Sequence, residues 1–259
     1  MSLILTDLSN VTVYTFPAGF DLHVWNDRDF SARGKLLDRF GAHGARQVGD
    51  RAIEPRKVVV KGAHHAASQA ALTSFLDAMT KALFYNGEEY RFSWATGFYI
   101  GVSHVDSFKA ARLSGGLAYK SAAIEIRFVC PDPFWYSTTD DSLAATSITT
   151  SPQDLVIVNN GTVPSPLVVQ CDPTAAWADF TLENVTDGGN LCRYADSALG
   201  NGDQVILDSR GAGTVERDGE NTIRHFSGAW LRILPGNNTI RYTGPTGGTI
   251  TLTSPGRFL

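Results

Sequence analysis

Asp154-Leu155-Val156-Ile157-Val158-Asn159-Asn160-Gly161-Thr162-Val163-Pro164-Ser165-Pro166-Leu167-Val168-Val169 decides how the second half of this chain folds. An apolar run of strand length, 155–158, stops at an Asn-Gly turn signal, and a second, 167–169, follows a pair of prolines. Asn and Gly tolerate the left-handed backbone of tight turns. Proline cannot donate to a central ladder, so Pro164 and Pro166 flank a strand rather than interrupt one.

The same alternation runs on to the end of the chain. Apolar runs at 180–182, 205–207, 230–234, 239–242 and 249–252 are separated by Asp187-Gly188-Gly189-Asn190, Asp218-Gly219 and Gly244-Pro245-Thr246-Gly247-Gly248. No helix-period segment of useful length follows Asp154. Short strands punctuated in this way predict an all-β antiparallel sandwich over 153–259.

Upstream the pattern changes. Residues 137–153 contain no aromatic side chain and many small polar ones, which predicts a linker or surface arm at 138–152. Before it, 67–84 places Leu72, Phe75, Leu76, Met79 and Leu83 on one helical face, with Ser68 as N-cap and Asn86-Gly87 as stop. Strand patterns surround that helix. Residues 11–25 form short strands broken at Pro17-Ala18-Gly19, and the β-branched Val58-Val59-Val60 marks another. Further strands fall at 90–94, 98–105 and 122–129. The last sets Ile124, Ile126 and Phe128 against Glu125 and Arg127, which suits a sheet with one wet face. Residues 26–56 are charged and Gly-rich and read as a long excursion or twisted hairpin. The expected architecture is a mostly β, one-helix α+β domain over 1–137, then the linker, then the sandwich.

Composition limits the function classes. The chain has 259 residues, a formal net charge of −4 and 19% charged residues, with a pI near 5.8. The whole-molecule field therefore does not attract nucleic acid or anionic membrane. Segment 27–56 sets Arg28, Arg33, Lys35, Arg39, Arg46, Arg51 and Arg56 against Asp27, Asp29, Asp38, Asp50 and Glu54, too balanced for a nucleic-acid footprint. Residues 1–10 lack the basic start and long apolar core of a secretory signal, and no apolar run reaches membrane-spanning length. Cys130, Cys171 and Cys192 form no zinc-type spacing, and the expectation is free thiols in a reducing cytoplasm.

Each candidate for chemistry has a plainer account. Glu88 and Glu89, with Asp106 or Asp132, could be cast as a glycosidase pair, but neighbours on an extended strand face opposite ways. His64-His65 lacks ligand-pair spacing and reads as loop or cap; His23, His43, His104 and His225 are isolated. No Gly-x-Ser-x-Gly elbow or phosphate loop is present. Asn-x-Ser/Thr triplets at Asn10, Asn160, Asn184 and Asn237 are read as turn chemistry. Trp177, Tyr194 and Trp230 could stack on sugar rings, though strand aromatics are ordinarily core. No catalytic, cofactor-binding or metal-ligating residue is assigned.

Five phrases in order carry a family resemblance: Asp132-Pro133-Phe134-Trp135-Tyr136, Asn159-Asn160-Gly161, the strand flanked by Pro164 and Pro166, Val205-Ile206-Leu207-Asp208-Ser209, and Leu234-Pro235-Gly236-Asn237-Asn238. Together they resemble the distal tail protein (Dit) family of long-tailed, siphovirus-type bacteriophages over nearly the whole chain. Segment 26–56 is richer in Arg and Gly than that pattern. The resemblance implies a virion structural protein at the phage tail tip, made in the host cytoplasm. It implies a homohexameric ring in which front domains form a belt and galectin-like or carbohydrate-binding-module-like sandwiches project outward. Partners would be the tail tube protein, the tail-tip hub and receptor-binding or fibre proteins. The alternative is a lectin-like carbohydrate-binding module protein with weak glycan contact.

Overall fold

The computed structural model describes residues 3–7, 9, 11–16, 20–22, 35–38, 45–48, 55–84, 89–93, 97–112 and 119–259, with the backbone alone at 20–22, 35–38 and 45–48. The chain divides into two compact units, Met1–Trp135 (with Leu259) and Tyr136–Phe258.

In the first unit the strands are β1 (Ile4–Thr6), β2 (Thr12–Thr15), β3 (Phe20–Leu22), β4 (Lys35–Asp38), β5 (Ala45–Val48), β6 (Arg56–His65), β7 (Tyr90–Ser93), β8 (Phe98–Val102), β9 (His104–Arg112) and β10 (Ser121–Cys130), with helix α1 (Gln69–Phe84) after β6. Antiparallel pairing orders them β2-β1-β7-β8 in sheet I and β3-β6-β10-β9 in sheet II. Within 26–56, β4 and β5 pair antiparallel, Lys35 opposite Val48 and Asp38 opposite Ala45. The rest of that segment, like Pro17-Ala18-Gly19 and Asn86-Gly87, lies outside the described residues.

Strand β10 shows why this unit closes. Ala122, Ile124, Ile126, Phe128 and Cys130 are buried, while Glu125 and Arg127 point outward, where Glu125 is paired with both Arg127 and Lys61. On the inner face Phe128 meets Phe92 of sheet I, ring centroids 5.4 Å apart, and Phe92 meets Phe16 at 6.3 Å. The helix covers the same inner face: Phe75 stacks on His64 at 3.8 Å, and Phe84 meets Phe108 edge-on at 6.4 Å. Leu72, Met79 and Leu83 are buried, as their spacing predicts. Ser68 Oγ accepts the Ala71 N–H at 3.1 Å, the expected N-cap. The 98–105 run is two strands rather than one: Ser103 separates β8 from β9, and its N–H donates to the Val129 carbonyl.

The second unit is a β-sandwich. Its strands are β11 (Trp135–Ser137), β12 (Asp141–Ser147), β13 (Gln153–Asn159), β14 (Ser165–Pro166), β15 (Val168–Pro173), β16 (Asp179–Asn184), β17 (Asn190–Ala195), β18 (Val205–Asp208), β19 (Thr214–Arg217), β20 (Glu220–Asn221), β21 (Phe226–Gly228), β22 (Arg232–Ile233), β23 (Gly236–Thr243), β24 (Gly248–Ser254) and β25 (Arg257–Phe258). Sheet III runs β12-β24-β15-β18-β19-β20, and sheet IV runs β13-β23-β16-β17-β21. Their inner faces share one core that includes Leu155, Ile157, Val169, Cys171, Trp177, Phe180, Tyr194, Leu207, Ile240, Tyr242 and Leu252. Among the described residues α1 is the sole α-helix, and the protein is mainly β.

The 138–152 segment differs from its expectation. Residues Asp141–Ser147 are the edge strand of sheet III, with Asp141 opposite Ser254, Leu143 opposite Leu252, and a register shift before Thr146. The strand is mostly small and polar, and its ladder bonds are supplemented by Leu143, which packs against the sandwich core; one apolar contact leaves little alternation to read.

Candidate functional site

The carboxylates and histidines weighed for catalysis are each engaged separately. Glu88, His23, His43 and Asn10 lie outside the described residues. Glu89 is exposed, Asp106 pairs with Lys57 at 3.5 Å, and Asp132 accepts the Phe134 N–H at 3.2 Å in a local turn. His64 and His65 end strand β6 instead of lying in a loop, so they face opposite ways. His64 stacks on Phe75, while His65 Nδ1 meets Ser121 Oγ at 2.7 Å. Burial, then the neighbouring His65, lowers the pKa of His64. Among the described residues no group of three or more His, Cys, Asp and Glu side chains could hold a metal ion. The three thiols are free and buried, and burial pushes Cys130 and Cys192 up to about 12 and Cys171 well above its ordinary value.

The aromatics weighed for sugar stacking are structural. Trp177 and Tyr194 are fully buried in the sandwich core. Trp230 is covered on its ring faces. Phe226 stacks on it at 4.2 Å, and a Cβ added at Gly213 would fall 2.2 Å from the indole, so the glycine backbone lies against the ring. A pyranose needs a bare aromatic face, and none of the three offers one. A lone indole signal in the sequence carries no information about what lies on its two sides.

Two of the phrases that ordered the sequence, Asn159-Asn160-Gly161 and Leu234-Pro235-Gly236-Asn237-Asn238, are turn clamps. Asn159 is buried; its Oδ1 accepts the Gly161 N–H at 2.8 Å, and its Nδ2 donates to the Val163 and Ile233 carbonyls at 3.1 Å. Asn160 N–H and Nδ2 both donate to Asp141, the N–H at 2.9 Å. Asn238 is fully buried and repeats the device, accepting from Leu234 N–H at 2.8 Å and donating to the Leu234 and Gly236 carbonyls at 2.6 and 2.9 Å. Each amide satisfies backbone groups that a turn would leave buried and unpaired. Asn184, also fully buried, donates to the Arg232 carbonyl, so it offers no free amide to modification.

The densest polar knot lies around Asp196. Its carboxylate accepts from Ala198 N–H at 3.0 Å, Arg217 at 2.8 Å and Tyr194 Oη at 3.3 Å, with His225 Nε2 at 3.9 Å. Burial opposes its charge, yet Ala198, His225 and Arg217 hold its pKa below the ordinary value. It ties β17 to β19 and the turn at Ile223–His225, a structural role.

What remains for function is surface, and the two outer faces of the sandwich differ. Sheet III presents Thr249, Thr251, Thr253, Gln170, Asp172, Asp208 and Glu216, all half-buried. Sheet IV presents exposed Val156 and Val158 on β13, Val185 just after β16, and Leu191 on β17. Arg241 is bound to Asp154 at 2.8 Å and Arg193 to Asp179 on that same face.

Residues 160–254, from the Asn-Gly turn through β24, match the family model of the siphovirus-type tail component, C-terminal domain (SPP1_Dit). That match covers the sandwich and not the first unit. The likeness in fold extends beyond the matched segment. The crystal structure of SPP1 Dit (gp 19.1), described as a paradigm of hub adsorption apparatus in phages infecting Gram-positive hosts, superposes with a TM-score of 0.72. The two share 12% identity, and the superposition covers 99% of each chain. A chain of the phage P2 baseplate in its activated conformation with Ca superposes with a TM-score of 0.52 at 9% identity, covering 98% of this chain and 97% of that one. No curated protein sequence matches. The clamps and the sandwich core therefore build a domain similar to the C-terminal domain of that tail component.

Proposed function

We propose that this chain is a distal tail protein and acts as a homohexameric hub. It would join the tail tube to the tail tip and host-attachment apparatus, within the virion. The observation that carries the reading is the whole-chain fold likeness to SPP1 Dit, both units in one order, together with the family match over the sandwich. In this reading residues 1–137 form the ring and the sandwich of 153–259 projects from it. A ring needs a heterologous interface, in which one patch fits a different patch on the neighbour. Among the described residues β3 and β9 are the edge strands of sheet II, and strand edges suit such pairing. The tail tube protein and receptor-binding or fibre proteins would then be its partners, and assembly in the host cytoplasm would precede incorporation.

Light scattering with negative-stain imaging of the purified full chain tests this. The expected species is a hollow ring near six times the chain mass of 28.0 kDa. A monodisperse single-chain mass at high concentration, together with solitary particles in images, would overturn the hub.

A further inference from the structure

Among the described residues, Asn160-Gly161, Asp187-Gly188, Asn201-Gly202 and Asp218-Gly219 set a side-chain carbonyl carbon beside the least hindered of backbone nitrogens. Such a pair closes to a succinimide when that nitrogen attacks that carbon. Whether the ring closes depends on how firmly the fold holds the two atoms. At Asn160 both are held. Its Nδ2 and its N–H donate to Asp141, and the Gly161 N–H donates to Asn159 Oδ1 at 2.8 Å. Gly161 is also buried against the Arg257 backbone. Ring closure there would break the Nδ2 and Gly161 bonds, and ring opening would set a new carboxylate against that of Asp141. The two aspartates are poor electrophiles while ionised, and both are engaged. Asp187 accepts from Arg232 and Asn190 at 2.8 Å, and Asp218 accepts the Gln204 N–H at 2.9 Å.

Asn201 is placed differently. It stands between Gly200 and Gly202 in the turn from β17 to β18, and both Asn201 and Gly202 are exposed. A Cβ added at either glycine would meet nothing within 4 Å. Among the described residues the Asn201 side chain makes no hydrogen bond. The turn is held by its neighbours instead. Gly200 N–H donates to Asp203 Oδ2 at 2.8 Å, Asp203 N–H to the Gly200 carbonyl at 3.3 Å, and Gly202 N–H to the Pro173 carbonyl at 3.2 Å. Exposed backbone bonds of this kind open locally while the core stays folded. Opening the last of them frees the Gly202 nitrogen beside a side chain that nothing restrains.

We propose that Asn201 is a site of spontaneous deamidation, and that the clamp around Asn160 protects the Asn160-Gly161 turn from the same reaction. The Gly202 nitrogen gives up its proton and bonds to Asn201 Cγ. The bond from Cγ to Nδ2 breaks, and Nδ2 leaves with that proton as ammonia. Water then opens the ring at either carbonyl, giving aspartate or, with the main chain routed through the side chain, isoaspartate. Either product adds a negative charge to a unit that carries 13 acidic against 7 basic side chains over 136–258. The isoaspartyl form also lengthens the backbone by a methylene, which displaces the Gly202 N–H from the Pro173 carbonyl. This chemistry does not depend on the hub.

The test incubates the full chain in mildly alkaline heavy-oxygen water and maps its peptides by mass spectrometry, since each opened ring takes its new oxygen from solvent. The tryptic peptide Tyr194–Arg210 holds Asn201 as its sole asparagine. In the folded chain the label should accumulate at Asn201 at least about tenfold faster than at Asn160. In denaturant, where both turns are released, the two positions should react at similar rates. A folded-chain rate at Asn160 that equals or exceeds the rate at Asn201 would overturn the proposal. So would an Asn201 that stays unlabelled in the folded chain while the denatured chain reacts there. A preference for Asn201 that persists undiminished in denaturant would trace the difference to local sequence and overturn the protection by the clamp.

Discussion

At the scale of single residues, this protein spends its buried polar groups on turns. Gly161 shows how tightly one is built: a Cβ there would fall 2.3 Å from the Arg257 carbonyl oxygen and 2.7 Å from its backbone nitrogen. Backbone cannot step aside as a flexible side chain can, so Gly161→Ala should cost roughly 1–3 kcal/mol, read as a lowered denaturant midpoint. An unchanged midpoint would mean the turn opens without penalty. Asp187 gives a pH-dependent counterpart. It accepts from Arg232 Nε and Asn190 Nδ2, both at 2.8 Å, and the Arg232 bonds chiefly hold its pKa below the ordinary value. A depressed folded-state pKa adds stability that is complete above the unfolded value, near 3.9, and disappears as pH falls through the folded value. Asp187→Asn should therefore be less stable than wild type by about 1 kcal/mol at pH 7, and the gap should shrink as pH falls through the folded value. A gap of constant size throughout acid titration would show that the carboxylate charge is not what stabilises. The sequence signals which residues turn the chain, since Asn-Gly and Pro-Gly pairs are local chemistry. It does not signal which backbone groups the amides reach, because Ile233 lies 74 residues from Asn159.

At the scale of elements, legibility followed side-chain burial. Helix α1 was readable because one face is apolar at three- and four-residue spacing, and β10 because inward apolar residues alternate with outward charges. Ser68→Ala removes the Oγ that accepts the Ala71 N–H and should cost about 1 kcal/mol, measured as a fall in thermal midpoint that Ser68→Asp restores. A substitution without effect would place the cap's stabilisation in the tertiary contacts of Phe75 and Phe84 instead. Strand β12 was not readable, since Asp141-Ser142-Leu143-Ala144-Ala145-Thr146-Ser147 offers only Leu143 to the core and leaves most of its order to backbone pairing with β24. The candidate sugar platform failed for a related reason. Strand periodicity told neither that Trp177 and Tyr194 point into the core nor that Trp230 is enclosed by Phe226 and Gly213. Sidedness of that kind depends on which strands become neighbours, and that is a property of topology rather than of any local window.

At the scale of the whole molecule, the two units differ in charge as well as in fold. Residues 1–135 carry 15 basic against 13 acidic side chains, and 136–258 carry 7 against 13. Each unit also has its own core: Phe92, Ile126 and Phe128 belong to the first, and the Trp177–Phe180–Tyr242 cluster to the second. A sandwich whose two sheets bury their own inner faces needs no neighbour to fold. A chain beginning at Tyr136 should then unfold in one cooperative transition and sediment as a single chain, because its acidic excess opposes self-association. If the first unit makes the ring, the complementary chain ending at Ser137 should assemble while this one does not. Assembly of the sandwich alone, with the first unit remaining single, would reverse the division of labour. It would also relocate the heterologous contact from the sheet II edges to the sandwich, where the uncovered valines of β13 would be the first surface to mutate.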